Sequence, residues 1–101
     1  MLELIQGKQA ELEALCRQHG VAGLAVFGSV LGDAFNKDSD LDFLVTFRDM
    51  PPARRAEAYF GLWFGLEDLF GRRVDLIVRD AIRNPYLEHE VVQTARALYA
   101  A

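Results

Sequence analysis

Asp40 and Asp42 are the residues whose types and spacing most suggest chemistry in this chain. Alternate side chains of a β-strand point to the same face, so the two carboxylates would project together while Leu41, Phe43 and Val45 face a core. Mg²⁺ commonly takes one or two protein carboxylates and completes its coordination with water and substrate phosphates. The pair therefore predicts a magnesium site that handles a phosphate compound. The alternative is a solvated turn followed by the exposed side of an edge strand.

Gly28 and Ser29 predict a phosphate-binding turn opposite those aspartates. They follow the apolar run 24–27, which predicts a short buried strand, and ten residues separate Ser29 from Asp40. A glycine lets backbone amides approach phosphate oxygens, and the N-terminus of a following helix would add positive potential. Ser29 lacks the Gly-x-Ser-x-Gly surroundings of a nucleophilic serine, so its expected roles are phosphate contact and helix N-cap.

Asp75 is the expected third acid of the site. Two Mg²⁺ ions about 3.5–4 Å apart can activate an attacking oxygen and stabilise a leaving one, and such a pair calls for a further carboxylate. Asp75 is the single acid in the apolar run 74–78, where a buried strand would otherwise be filled by hydrophobic side chains. Asp40, Asp42 and Asp75 are therefore the predicted metal ligands and catalytic residues.

Arg72 and Arg73 leave a second interpretation of Asp75 open, in which it is a structural acid paired with one of them. Arg73 lies two residues from Asp75 and so on the same side of the strand, where it could instead contact a phosphate. Arg72 is expected to bind the last carbonyl groups of the preceding helix. His19 and His89 each stand alone in helical sequence, so no chemistry is assigned to them.

The glycine–serine turn, the paired aspartates and the later strand acid together resemble the polymerase-β-like nucleotidyltransferase superfamily. Its shortest members, the minimal nucleotidyltransferases, are the most similar. In that family the glycine–serine pair usually continues to an arginine that lies near the triphosphate. Here Val30, Leu31 and Gly32 follow, and Leu31 cannot supply the missing positive charge.

The resemblance implies an α+β fold, a small mixed sheet flanked by helices, and transfer of AMP from ATP to a hydroxyl with two Mg²⁺ ions. It implies that Gly28 and Ser29 bind the triphosphate, and the position of Arg73 on the side of the strand that carries Asp75 makes it the further predicted nucleotide-binding residue. Minimal nucleotidyltransferases are commonly antitoxins of HEPN-domain ribonuclease toxins, several of which are silenced by AMP transfer to a toxin tyrosine. The alternative is a binding module that neutralises its partner by complex formation. Modification of a small molecule is disfavoured, because such relatives generally add a substrate-binding domain.

Length and composition predict one domain over residues 1–101, because a chain with 51% hydrophobic and 26% charged residues can build a single core. The net charge of −4 gives no basic surface for direct nucleic-acid binding. No apolar stretch approaches the roughly 18 residues that span a bilayer, so a cytoplasmic location without membrane contact is expected. Cys16, the only cysteine, is expected in the core.

The surrounding sequence predicts the order α-β-α-β-α-β-α. Residues 1–19 predict one amphipathic helix that ends at a left-handed Gly20. Residues 41–47 predict the second strand. Residues 52–70 predict a long helix with proline at its start and a glycine at its end. The pair Asn84-Pro85 predicts the start of a last helix that runs on to residue 99.

The long helix predicts two further features. A helix between two strands usually makes them parallel neighbours, which would bring Asp75 beside Asp42. Phe60 and Phe64 are four residues apart and fall outside the apolar stripe that should cover the sheet. We therefore expect them to form an exposed surface that contacts a partner or makes an oligomer, unless a terminal helix packs there.

Overall fold

The computed structural model of the chain describes residues 3–28, Asn36 and residues 38–101. The elements, in chain order, are α1 (Glu3–Gln6), α2 (Gln9–Gln18), β1 (Val21–Phe27), β2 (Leu41–Phe47), α3 (Pro52–Phe70), β3 (Val74–Val78), a 3₁₀ turn (Arg79–Ala81), α4 (Pro85–Thr94) and β4 (Arg96–Ala100). Within these residues, no helix combines the length and apolar character that a membrane crossing requires.

The four strands form one mixed sheet in the order β3-β2-β1-β4. β1 is antiparallel to both β2 and β4, whereas β2 and β3 are parallel. The parallel pair flanks α3 in the chain, as expected of a crossover helix. The predicted α+β fold with a small mixed sheet is confirmed, and β3 and β4 are its edge strands.

One face of the sheet carries the core beneath α2 and α3. Leu41, Phe43 and Val45 are fully buried, as the alternation in β2 predicted. From α3, Leu62 and Leu66 are also fully buried against this face. The intervening residues of β2, which include Asp42, therefore point to the opposite face.

Two glycines of α3 let α2 pack closely against it. A Cβ at Gly61 would meet the ring of His19, and a Cβ at Gly65 would meet the end of the Leu15 side chain. The two glycines are four residues apart, so they form one side of the helix. A Cβ at either position would require the facing side chain of α2 to move.

The N-terminal helix predicted over residues 1–19 is interrupted. α1 ends at Gln6, a turn follows at Gly7 and Lys8, and α2 begins at Gln9. Glycine is about 1 kcal/mol worse than alanine inside a helix, which favours a break at this position. The end of α2 was predicted correctly, because Gly20 has the left-handed φ of 67°.

The C-terminal prediction was wrong in its second half. The side chain of Asn84 accepts hydrogen bonds from the amides of Tyr86 and Leu87, so the start of α4 is confirmed. The helix ends at Thr94, and the residues predicted to continue it form β4 instead. Pairing with β1, which lies about 70 residues earlier in the chain, decides this outcome.

Candidate functional site

Asp42 and Asp75 lie beside each other on neighbouring parallel strands. The register of β2 and β3 pairs these two residues directly. Side chains of paired residues point to the same face of a sheet, so both carboxylates project from the face opposite the main core. The proximity that the sequence predicted for this pair is confirmed.

Gly28 lies against the Asp42 carboxylate at the end of β1. Phe27, the residue before it, pairs with Asp42 across the antiparallel strands. A Cβ on Gly28 would overlap a carboxylate oxygen of Asp42 and approach its Cγ to 3.1 Å. The φ of Gly28 is 77°, a left-handed value that also favours glycine. The absence of a side chain therefore lets the Asp42 carboxylate lie directly against the backbone of Gly28.

The remaining residues of the predicted phosphate turn, Ser29, Val30, Leu31 and Gly32, lie outside the described residues. The expected phosphate contact of Ser29 and the consequence of the uncharged Leu31 therefore stay predictions.

Asp40 lies immediately before β2 and forms an ion pair with Arg73. The Nε atom of Arg73 is 3.2 Å from a carboxylate oxygen of Asp40. Both side chains are accessible, with 82% of Arg73 and 46% of Asp40 exposed. Such an exposed pair is worth at most about 1 kcal/mol, so the guanidinium can move to another anion at little cost.

Arg72 supports the segment that leads to Asp40. Its Nη1 atom donates hydrogen bonds of 3.1 Å to the carbonyl oxygens of Asn36 and Ser39. These contacts correct the prediction that Arg72 binds the last carbonyl groups of α3, since the bonds described here reach the segment before β2. Arg72 thereby connects the approach to β2 with the approach to β3. No motif or spacing in the sequence indicated this connection.

The same segment is stabilised by local hydrogen bonds. The Asn36 side chain accepts a bond of 2.8 Å from the Asp38 amide, and the Ser39 hydroxyl accepts one of 3.1 Å from the Asn36 amide. Short polar side chains commonly stabilise turns in this way. Leu41 then begins β2 by donating its amide to the carbonyl of Arg73. The position of Asp40 thus depends on contacts on both of its sides.

Asp75 is exposed, which corrects its predicted environment. The run 74–78 was expected to be a buried strand, but β3 lies at the edge of the sheet. Arg72 and Arg73 make their described contacts with other groups, so the structure gives no support to Asp75 as their structural partner. Burial, and secondly the negative charge of Asp75, raise the pKa of Tyr59. Asp75 is therefore close enough to Tyr59 for its negative charge to affect the ionisation of the tyrosine hydroxyl.

The donor chemistry of the site fits a hard divalent cation in an open position. Among the described residues, no three His, Cys, Asp or Glu side chains are close enough to enclose a metal ion by themselves. Asp42 and Asp75 nevertheless offer carboxylate oxygens side by side, and the Asp42 carboxylate lies directly against the backbone of Gly28. Mg²⁺ requires few protein ligands when phosphates and water supply the others, so the pair is sufficient for such an ion.

Two apolar cavities lie along the parallel strands. One of about 460 Å³ is lined by Phe47 and Val78, the last residues of β2 and β3, and so lies at the end of the strands opposite Asp42 and Asp75. Another of about 600 Å³ is lined by Leu76 and Ile77 and continues toward Leu87, so it extends along β3 to the residue after Asp75.

Cys16 and His19 pack against other parts of the fold and are not part of the candidate site. Cys16 is fully buried, and burial raises the pKa of its thiol to about 12. The core position predicted for it is confirmed. His19 lies beside Gly61 at the end of α2, where burial lowers its pKa. Cys16 lies in α2 and His19 directly after it, far in the chain from Asp42 and Asp75.

Known proteins resemble this chain in both sequence and fold. A family model described as a nucleotidyltransferase domain matches residues 11–98. A Methanocaldococcus jannaschii protein, named as a candidate protein adenylyltransferase, is 35% identical over 77 residues, which are 76% of each chain. The protein adenylyltransferase MntA of Thermococcus cleftensis is 33% identical over 75 residues, covering 74% of this chain and 73% of the relative.

Two solved structures extend the comparison to three dimensions. One, described as a candidate minimal nucleotidyltransferase, has a TM-score of 0.77 at 34% identity and covers 94% of this chain and 93% of its own. Another is a tri-AMPylated Shewanella oneidensis HEPN toxin in complex with an MNT antitoxin, matched with a TM-score of 0.64 at 21% identity over 95% of this chain and 72% of that one. The second likeness shows the fold. The chain therefore belongs to the nucleotidyltransferase family, as one of the minimal nucleotidyltransferases.

Proposed function

We propose that this protein transfers AMP from ATP to a tyrosine hydroxyl of a HEPN-type toxin in a Mg²⁺-dependent reaction, and so acts as its antitoxin. The observation that carries the proposal is the in-register pair of Asp42 and Asp75 with Gly28 beside it. The family membership and the relatives named protein adenylyltransferases support the reaction type. The complex of an MNT antitoxin with an AMPylated HEPN toxin supports the choice of partner.

Asp40, Asp42 and Asp75 would hold two Mg²⁺ ions. When bound, the ions neutralise phosphate charge and lower the pKa of a coordinated hydroxyl. Gly28 and Ser29 would hold the triphosphate, because a glycine lets backbone amides approach phosphate oxygens, and Gly28 lies directly against the Asp42 carboxylate. Arg73 already lies at the site through Asp40 and could exchange that carboxylate for a phosphate. It would then supply the charge for which the family usually uses an arginine after the glycine–serine pair.

The reaction is a displacement at the α-phosphorus of ATP. The acceptor oxygen forms a bond to this phosphorus, the bond to the oxygen that bridges to the β-phosphorus breaks, and pyrophosphate leaves with that electron pair. Asp75 would orient the acceptor hydroxyl and could take its proton. Its exposed position on an edge strand supports this role, because an acceptor can approach it from outside the chain.

The acceptor would be presented by another protein. Asp75 is exposed on an edge strand of the sheet, so an acceptor carried by a second chain can reach it. Phe60 and Phe64 offer a contact surface, with 50% and 60% of each residue exposed. Their rings stack 6.4 Å apart, and this surface would bind the partner or a second copy of the chain.

A second candidate is a binding module that neutralises its partner by complex formation with little or no transfer. The ion pair between Arg73 and Asp40 favours it, because a cation already occupies one predicted metal ligand. The absence of the usual family arginine points in the same direction. The two candidates make opposite predictions for transfer and the same prediction for complex formation.

The test uses ATP labelled at the α-phosphate and a purified HEPN-domain toxin as the acceptor. We expect label on that protein only when Mg²⁺ is present. Asp42→Asn keeps the size of the side chain but removes its charge, so transfer should fall at least ~10²-fold, the scale of losing a strong electrostatic contact with the transition state.

The matched control is Asp68→Asn, which changes an exposed acid on α3 and should leave transfer unchanged. Thermal unfolding of both variants checks that the fold survives. Undiminished transfer by Asp42→Asn would refute the metal-ligand assignment. A stable complex without any label would reject the enzyme in favour of the binding module.

A further inference from the structure

The edge strand β3 has an unusual partner on its outer side. β2 occupies its inner side, and the amide of Leu41 donates to the carbonyl of Arg73. Backbone groups alternate in direction along a strand, so Arg73 and Asp75 direct theirs toward β2. The backbone N–H and C=O groups of Val74 and Leu76 consequently point away from β2, where an edge strand normally leaves such groups unpaired.

Side chains of α3 bind these outward groups. The amide of Val74 donates to a carboxylate oxygen of Glu67 at 3.0 Å, and its carbonyl accepts from the indole nitrogen of Trp63 at 2.8 Å. The carbonyl of Leu76 accepts from the hydroxyl of Tyr59 at 2.7 Å. Three helix side chains thus make the contacts that another strand would have made.

The spacing of these side chains matches the strand. Tyr59, Trp63 and Glu67 are each four residues apart and lie on one side of α3. Tyr59 and Trp63 also pack against the core to which Leu62 and Leu66 belong, and a purely apolar side chain would be enough for that packing. Burial therefore does not require a tyrosine hydroxyl, an indole nitrogen or a carboxylate at these positions, and the hydrogen bonds give a reason for them. We call Tyr59, Trp63 and Glu67 the α3 brace.

Asp75 lies between Val74 and Leu76, the two residues whose backbone groups the α3 brace binds. Its backbone faces β2 and its neighbours are bound to α3, so β3 is fixed on both sides at this point. A strand paired on one side only can fray or slip, and displacement by one residue would turn Asp75 to the opposite face. The raised pKa of Tyr59, caused in part by the charge of Asp75, agrees with their proximity.

We propose that Tyr59, Trp63 and Glu67 are positioning residues for the transfer reaction, because they hold β3 in the register that places Asp75 beside Asp42. This inference rests on the proposed function, in which Asp75 is the third carboxylate of the site. The brace residues act through the backbone of Val74 and Leu76 and need no contact with ATP or the acceptor.

The first arm of the test measures the strand without any substrate. Glu67→Met removes the acceptor for the Val74 amide, whereas Glu67→Gln retains an acceptor oxygen. In amide hydrogen exchange followed by NMR, Glu67→Met should accelerate exchange at Val74 by about tenfold and Glu67→Gln by less than about threefold. Unchanged exchange in Glu67→Met would refute the brace.

The second arm measures AMP transfer from labelled ATP to the HEPN-domain partner. Tyr59→Phe and Glu67→Met should each lower kcat about 5–10-fold, as expected for one lost hydrogen bond, and raise the Mg²⁺ concentration needed for half-maximal rate. Glu67→Gln should restore most of the rate. Tyr86→Phe, which removes the hydroxyl of an exposed tyrosine on α4, is the control and should leave kcat unchanged.

A double-mutant cycle separates positioning from general stability. In an Asp75→Asn background, Tyr59→Phe and Glu67→Met should have no further effect on kcat, because the carboxylate that they position is already lost. Equal losses in both backgrounds would overturn the inference and leave the brace a purely structural feature. Full transfer by Asp75→Asn alone would instead refute the role that the proposed function gives to Asp75.

Discussion

Gly28→Ala is the substitution that most directly tests the geometry of the site. It adds one methyl group at a position where φ is 77° and where a Cβ would overlap the Asp42 carboxylate. The change therefore has two separable consequences, a strained backbone and a displaced metal ligand. We expect a folded protein of lower stability that has lost most of its transfer activity.

The magnitude of each consequence can be worked out separately. A left-handed conformation costs a residue with a Cβ roughly 1–2 kcal/mol. At about 4–8 °C per kcal/mol for a domain of this size, the melting temperature should fall by roughly 4–16 °C. Displacement of Asp42 removes an electrostatic contact with the transition state, so transfer should fall by about 10²-fold.

Gly71→Ala is the matched control. Gly71 ends α3 with a φ of 64°, and a Cβ there would meet nothing within 4 Å. The control should therefore lose the same stability as Gly28→Ala and less than about threefold in transfer. The measurements are thermal unfolding by circular dichroism and transfer of labelled AMP at saturating ATP and Mg²⁺.

Equal activity of the two variants would refute the reasoning. If both retained transfer, Gly28 would have no special relation to Asp42 during catalysis. If both lost it equally, strain alone would explain the loss. Only a selective loss in Gly28→Ala supports the requirement that the Asp42 carboxylate stay in its position against Gly28.

Two further predictions concern the surface and the pH dependence. The double substitution Phe60→Ser with Phe64→Ser should leave the chain folded, as measured by circular dichroism, but weaken its association with a partner or a second copy, as measured by sedimentation. The reason is that exposed aromatic side chains often dominate interfaces. Unfolding would show that the pair belongs to the core, and unchanged association would show that the surface is unused. His19 has a pKa below its ordinary value of 6.5 in the folded chain, so the unfolded chain binds the proton more readily, and stability should decrease as the pH falls below about 6.5. The melting temperature of His19→Gln should lack this component between pH 8 and pH 5, and an identical pH dependence in both proteins would contradict it.

Local chain geometry determined much of what could be predicted from the sequence. Alternation in a strand separated Asp42 from its buried neighbours Leu41 and Phe43, and both were found fully buried. Gly20 and Gly71 were predicted as helix ends because a left-handed residue favours glycine, and both have positive φ. A helix between two strands favoured their parallel pairing. Each of these features depends on a few adjacent residues or on the length of one element.

Tertiary structure decided which distant groups meet. Arg73 pairs with Asp40, Arg72 binds the segment before β2, and residues 96–100 form an edge strand in place of a helix. Glutamate is a common residue type on the exposed faces of helices, yet the Glu67 carboxylate accepts a hydrogen bond from the backbone amide of Val74 in β3. These outcomes could not be predicted from the sequence alone. Hydrogen bonds and ion pairs form with whichever partner the packed elements bring within about 3 Å, and sequence spacing does not specify that partner.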